Sequence, residues 1–168
     1  MKKKAKKSGL RKSSVVIIGV ILIVAAIYYF YSTEQAQIRG FNFGNELQSI
    51  QEELKHEQTD FFSKISMWEE GNISKTQFLE FADIHIMKMD SIITKYAGLQ
   101  MPDVFSGSVK LFKLSTETQL ESDIHRINWI SNGDEQEKIH ADELLQASFE
   151  YEMAALSSFE KAKRNPNP

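Results

Sequence analysis

The chain has 168 residues, 20 basic and 23 acidic side chains for a net charge of −3, and no cysteine. That length allows one compact domain plus an anchor, and the missing thiols exclude disulfides, iron–sulfur clusters and thiolate zinc sites within the chain. The charge is unevenly placed: residues 1–14 hold seven cations (Lys2, Lys3, Lys4, Lys6, Lys7, Arg11, Lys12) and no acid, leaving 13 cations against 23 acids, a net of −10, in the remainder. A surface that acidic repels nucleic acid and anionic headgroups, so nucleic acid is not an expected partner.

The basic tail, 1–14, leads into Val15–Tyr31, a run of 17 uncharged residues. At 1.5 Å per residue such a helix spans roughly 25 Å, the short end for a membrane crossing. Ser32 and Thr33 extend it, giving a predicted transmembrane anchor over 15–33. Tyr28, Tyr29, Phe30 and Tyr31 lie at one end, where aromatic rings rest at headgroup level, and lysines crowd the other. The positive-inside rule then puts the N-terminus in the cytoplasm and the rest of the chain outside, a single-pass protein of the cell membrane whose first partner is the lipid bilayer. A cleaved signal peptide with Val24-Ala25-Ala26 at its cleavage site is the rival reading, disfavoured because the apolar run continues into bulky aromatics. The run is too apolar on every face for a buried helix of a soluble protein.

Residues 34–44 read as a juxtamembrane hinge, because Gly40-Phe41-Asn42-Phe43-Gly44 brackets two phenylalanines with glycines. Beyond it the punctuation is regular. Asn45 with Gln48 reads as a helix N-cap and Gly71 as a stop, giving helix 46–70. Ser74 with Gln77 opens a second helix, 75–97, closed by Gly98. Pro102-Asp103 opens a third that ends at Asn132-Gly133, and Asp134 with Glu137 caps a fourth over 135–163. The tail 165–168, Asn-Pro-Asn-Pro, cannot continue a helix and is expected to be disordered.

Within these limits the apolar residues follow steps of three and four. The predicted stripes are Leu47, Ile50, Leu54, Phe61, Ile65, Trp68; then Phe78, Ala82, Met89, Ile92, Tyr96; then Phe105, Val109, Phe112, Leu120, Ile124, Ile127, Ile130; and Ala141, Leu145, Ser148, Ala155, Phe159. No segment alternates with period two. Four amphipathic helices joined by short loops predict an all-α fold, an antiparallel up-down four-helix bundle over 45–164 on the extracytoplasmic side.

Chemistry is sparse. Glu-x-x-His occurs as Glu53–His56 and Glu137–His140, the spacing found in di-metal bundles. His56 lies about 150° from its stripe at 100° per residue, and roughly 15–20 Å of rise separates the two pairs, so they cannot share a site and read as surface salt links. Met87, Met89 and His85 suit copper by softness, but on a helix Met87 points away from Met89. No metal or cofactor site is predicted. His85 does continue the second stripe, at Ala82, His85, Met89, and so faces the interior. A buried imidazole needs partners. Asp123 falls beside the third stripe at a similar level, with Gln119 and Thr116 lower on the same side, so His85 and Asp123 are the predicted buried polar pair. Asn72-Ile73-Ser74 is a glycosylation sequon on the first distal loop. No phosphate loop, nucleophile elbow or metalloprotease helix is present.

These features point to a membrane-tethered, non-enzymatic interaction module, for instance an accessory subunit of a larger complex with a membrane-protein partner. The competing class is a small-ligand or metal-binding domain centred on His85, although no small-molecule substrate is identified. A transmembrane sensor is disfavoured, since 14 cytoplasmic residues give no output domain.

Overall fold

The structure is a computed structural model describing residues 38–164, all within one compact unit that begins at Ala36. The basic tail, the 15–33 anchor, residues 34–37 of the hinge and the 165–168 tail lie outside the described residues. Four helices follow one another, α1 (Ile38–Glu69), α2 (Lys75–Gly98), α3 (Ser106–Asn132) and α4 (Glu135–Arg164), with a 3₁₀ turn at Asp103–Phe105 ahead of α3. No strand occurs among the described residues, and no helix there is long and apolar enough to cross a membrane.

Contacts between helices give the topology. Gln51 meets Tyr96 and Phe61 meets Phe78, so α1 and α2 are antiparallel. Tyr96 meets Thr116 and Lys75 meets Ser131, which turns α3 back against α2. Ser115 reaches Ser148 and Ser122 reaches Ala141, so α4 runs against α3. Phe43 at the start of α1 packs near Phe159 at the end of α4, closing the bundle at what we call its proximal end. The turns at 70–74 and 133–134 form the distal end.

The seam between α3 and α4 is unusually tight, and its composition explains why. Ser108, Ser115 and Ser122 recur every seven residues on α3, as do Ala141, Ser148, Ala155 and Ala162 on α4, and all are buried. Small side chains let the backbones approach until hydroxyls reach across: Ser115 Oγ donates to the Ser148 carbonyl at 2.8 Å and Ser122 Oγ to the Ala141 carbonyl at 2.7 Å. Each such bond to a neighbouring backbone is directional, contributing about 1 kcal/mol while fixing the slide of one helix on the other.

The turns follow local chemistry. Ser74 accepts from the Gln77 amide and the Gln77 side chain returns to the Ser74 amide, a complete capping box. Gly71 and Gly133 sit at φ 77° and 80°, the left-handed conformation that ends α1 and α3 and disfavours any side chain.

Three expectations need correction. Helix α1 does not begin after an Asn45 cap; it starts at Ile38 and runs unbroken through residues 40–44, where the sequence predicts a hinge. Two glycines cost a helix on the order of 1 kcal/mol each. Phe43 offsets this, fully buried with its ring 5.2 Å from Phe105 and 6.4 Å from Phe159. Glu137 does not return to cap Asp134, because its carboxylate is drawn to His125 on α3; Asp134 Oδ1 caps through the Gln136 amide instead. Ile124, assigned to the third stripe, faces outward.

Candidate functional site: a polar chain through the bundle

Midway along the bundle, hydrophobic packing gives way to a continuous line of polar side chains that touches every helix. His85 on α2 is fully buried. Its Nδ1 lies 3.0 Å from Glu57 Oε1 on α1, and its Nε2 lies 3.0 Å from Asp123 Oδ2 on α3. Gln58 Nε2 on α1 donates to the same Asp123 oxygen at 2.7 Å. Gln119 Nε2 on α3 donates to Gln58 Oε1 at 3.3 Å, and Ser148 Oγ on α4 sits 3.2 Å from Gln119 Oε1. At the other end Lys88 Nζ, half in solvent, donates to Glu57 Oε2 at 2.9 Å. The line Ser148–Gln119–Gln58–Asp123–His85–Glu57–Lys88 thus crosses the molecule from α4 to the outer edge of α2.

The local sequence sets this up. On α2 the inward series Phe78, Ala82, His85, Met89, Ile92, Tyr96 is buried throughout, so the imidazole has no route to water. On α1 the apolar positions lapse between Leu54 and Phe61, and the intervening inward residues are Glu57 and Gln58. Phe61 stacks on the imidazole with ring centres 4.2 Å apart and planes at 10°, fixing its orientation.

Both ring nitrogens face carboxylate oxygens, so each is engaged in a hydrogen bond, and Lys88 brings a cation to Glu57 at the outer edge of the buried group. Neither nitrogen retains a free lone pair for a metal or a substrate proton. The two carboxylates flank the ring on opposite sides, and among the described residues no three His, Asp or Glu side chains converge as a metal site. Asp123 Oδ1 is buried without a hydrogen-bond partner among the described residues.

No family model matches the chain, and neither the search of curated proteins nor that of solved structures finds a match.

A second polar layer lies nearer the proximal end. Tyr96 hydroxyl accepts from Gln51 Nε2 at 2.7 Å and contacts Thr116 Oγ1 at 3.1 Å. Burial pushes the phenol upward, with Glu152 nearby adding to the effect. Glu152, on the inward face of α4 and 9% exposed, has its carboxyl pushed by burial up to about 7.

The other singled-out residues disperse. His56 is exposed beside Asp60, and Glu53 pairs with Lys95. Met87 is in solvent while Met89 is core. Asn72 is exposed on the α1–α2 turn, its amide donating to Glu70 at 2.9 Å, while Ser74 of the sequon serves as the α2 cap. The pattern-based reading missed Glu57, Gln58 and Glu152. All three stand where a stripe steps by three or four onto a polar residue, the same signal that marked His85.

Proposed function

We propose that the chain is a membrane-tethered, non-enzymatic interaction module whose helical bundle is presented on the extracytoplasmic side. The observation that carries this reading is the state of the interior. The chemically competent side chains are bonded to one another from α4 to α2, and the central imidazole has both nitrogens engaged. Such a network fixes the relative rotation and slide of four helices, which suits a rigid surface offered to a partner. A ligand site centred on His85 would first have to break two of these bonds. The tether rests on sequence: a lysine-rich start, 17 uncharged residues and an aromatic far end support an uncleaved anchor with the N-terminus inside.

The test is made on intact cells. Externally added protease should remove the bundle while leaving a fragment of the first thirty or so residues in the membrane. In mild detergent the full chain should co-purify in fixed ratio with a membrane protein. A mature protein beginning near Ile27 would remove the tether, and a chain that purifies alone, with a small molecule released on Asp123→Ala, would replace interaction with binding.

A further inference from the structure

The seam between α3 and α4 brings together two histidines that lie fifteen residues apart in sequence. His125 on α3 and His140 on α4 have ring centres 5.7 Å apart with planes at 48°. The Nδ1 of His125 contacts Glu137 Oε2, and the Nδ1 of His140 lies 3.5 Å from Glu143 Oε2. Asn128 Nδ2 also donates to Glu137 at 3.5 Å, steadying that carboxylate. Both rings reach solvent, at 29% and 58% exposure.

The geometry points to a surface chelate for a divalent late first-row metal ion, held by Nε2 of His125 and Nε2 of His140. In His125 the hydrogen-bonded Glu137 carboxylate draws the hydrogen to Nδ1 and leaves Nε2 its lone pair, and Glu143 stands beside Nδ1 of His140 in the same sense. This carboxylate–histidine arrangement orients and strengthens imidazole ligands. With metal–nitrogen bonds of about 2.0–2.1 Å, two imidazoles on one ion have ring centres roughly 4.5–6 Å apart, and the observed separation falls inside that range. Among the described residues no third His, Asp or Glu converges with them as the side chains stand, so the remaining coordination positions belong to water, or to Glu143, which is 70% exposed and free to turn. Imidazole donors favour copper, nickel and zinc over magnesium or calcium, with copper(II) tightest. The net charge of −10 beyond residue 14 raises the local concentration of cations. The Glu137–His140 pair thus finds its partner in His125 across the tightest seam of the bundle, not in Glu53–His56. A bound ion would tie α3 to α4 near the distal turn. This assignment is independent of the membrane tether.

The test uses the full chain in mild detergent, stripped with chelator and titrated with copper(II) chloride, then with nickel(II) and zinc(II) chlorides. One copper per chain is expected, with nitrogen hyperfine structure from two imidazoles in its electron paramagnetic resonance spectrum. His125→Ala and His140→Ala should each weaken binding tenfold or more, while His56→Ala leaves it unchanged. At metal concentrations a hundredfold above the dissociation constant, the unfolding equilibrium constant of the wild type should fall about a hundredfold, and that of His140→Ala should not move. His140 is exposed, so its variant keeps the fold, which circular dichroism checks. Binding that survives both substitutions, or no binding at millimolar metal, overturns the assignment.

Discussion

Distal to His85 the interior is Phe61, Ile65, Phe78, Ala82 and Ile130, with Trp68, Trp129, Phe62 and Phe81 packed around them. From His85 toward the proximal end the apolar core continues through Met89, Ile92, Phe112, Ile50 and Leu47 to Phe43 and Phe159, but it is interleaved with polar contacts among Glu57, Asp123, Gln58, Gln119, Ser148, Tyr96, Thr116 and Gln51. The proximal interior thus adds to its apolar packing a set of buried side-chain hydrogen bonds. Apolar contact is proportional to buried area and tolerates small rotations of one helix on another. A hydrogen bond is lost within a few tenths of an ångström or a few tens of degrees. Apolar burial therefore holds the helices together in both halves, and the polar chain specifies which register they adopt.

The largest effect should come from the distal half. Phe78 is fully buried, with its ring 6.1 Å from Phe61 and 6.4 Å from Trp68. Phe78→Ala should cost about 3–5 kcal/mol, the range for opening a large cavity in a packed core. Urea denaturation of residues 36–168, followed by circular dichroism, measures it. A loss below about 1 kcal/mol would mean the distal aromatics are loosely packed, and the contrast between the halves would fail.

The polar half should respond through coupling. Asp123→Ala leaves His85 Nε2 and Gln58 Nε2 without their acceptor in a dry interior, at a cost of about 3 kcal/mol. His85→Leu alone removes one partner each from Glu57 and Asp123, which keep Lys88 and Gln58, and should cost less. The double variant should cost much less than the sum of the two, with an interaction of 1 kcal/mol or more in a double-mutant cycle. The helix-to-helix register, read from nuclear Overhauser contacts, should blur in Asp123→Ala but stay sharp in Phe78→Ala. Additive effects would show that the two side chains do not act as a unit.

How much of this was legible in sequence depends on the residue. Helix ends at Ser74, Gly71 and Gly133 were readable because cap chemistry is local, within four residues. The start of α1 was not, because burial of Phe43 against Phe105 and Phe159 is a tertiary gain that outweighs two glycines. His85 and Asp123 could be matched by counting turns along antiparallel helices, whereas Glu57 and Gln58 were hidden by the habit of reading stripes as apolar. The α3–α4 seam carried a plain signal, small residues every seven positions, that a search for large hydrophobics passes over. His125 could not be joined to His140 without knowing how closely that seam packs.

The smallest expected effect belongs to Glu152, and it tests whether burial in the polar half is everywhere compensated by partners. Its carboxyl is moved from 4.5 to about 7 by burial, so the folded state holds the proton more tightly than the unfolded chain does. Below pH 4.5 both states carry the proton and Glu152 costs nothing. Between pH 4.5 and about 7 the unfolded chain ionises first, so folding stability falls as pH rises, and above 7 the penalty is complete. A rise of that size sets a ceiling of about 3 kcal/mol, and relaxation of the protein around a buried charge brings the expected figure to on the order of 2 kcal/mol. Glu152→Gln keeps the shape and removes the ionisation. It should match the wild type at pH 4, exceed it increasingly through pH 5 and 6, and be more stable by the full amount at pH 8. Thermal unfolding at those four pH values, at constant ionic strength, reads the difference. Equal pH profiles for the two proteins would show that Glu152 gains charge-stabilising contacts in the fold, and that the proximal polar layer compensates its buried carboxylate.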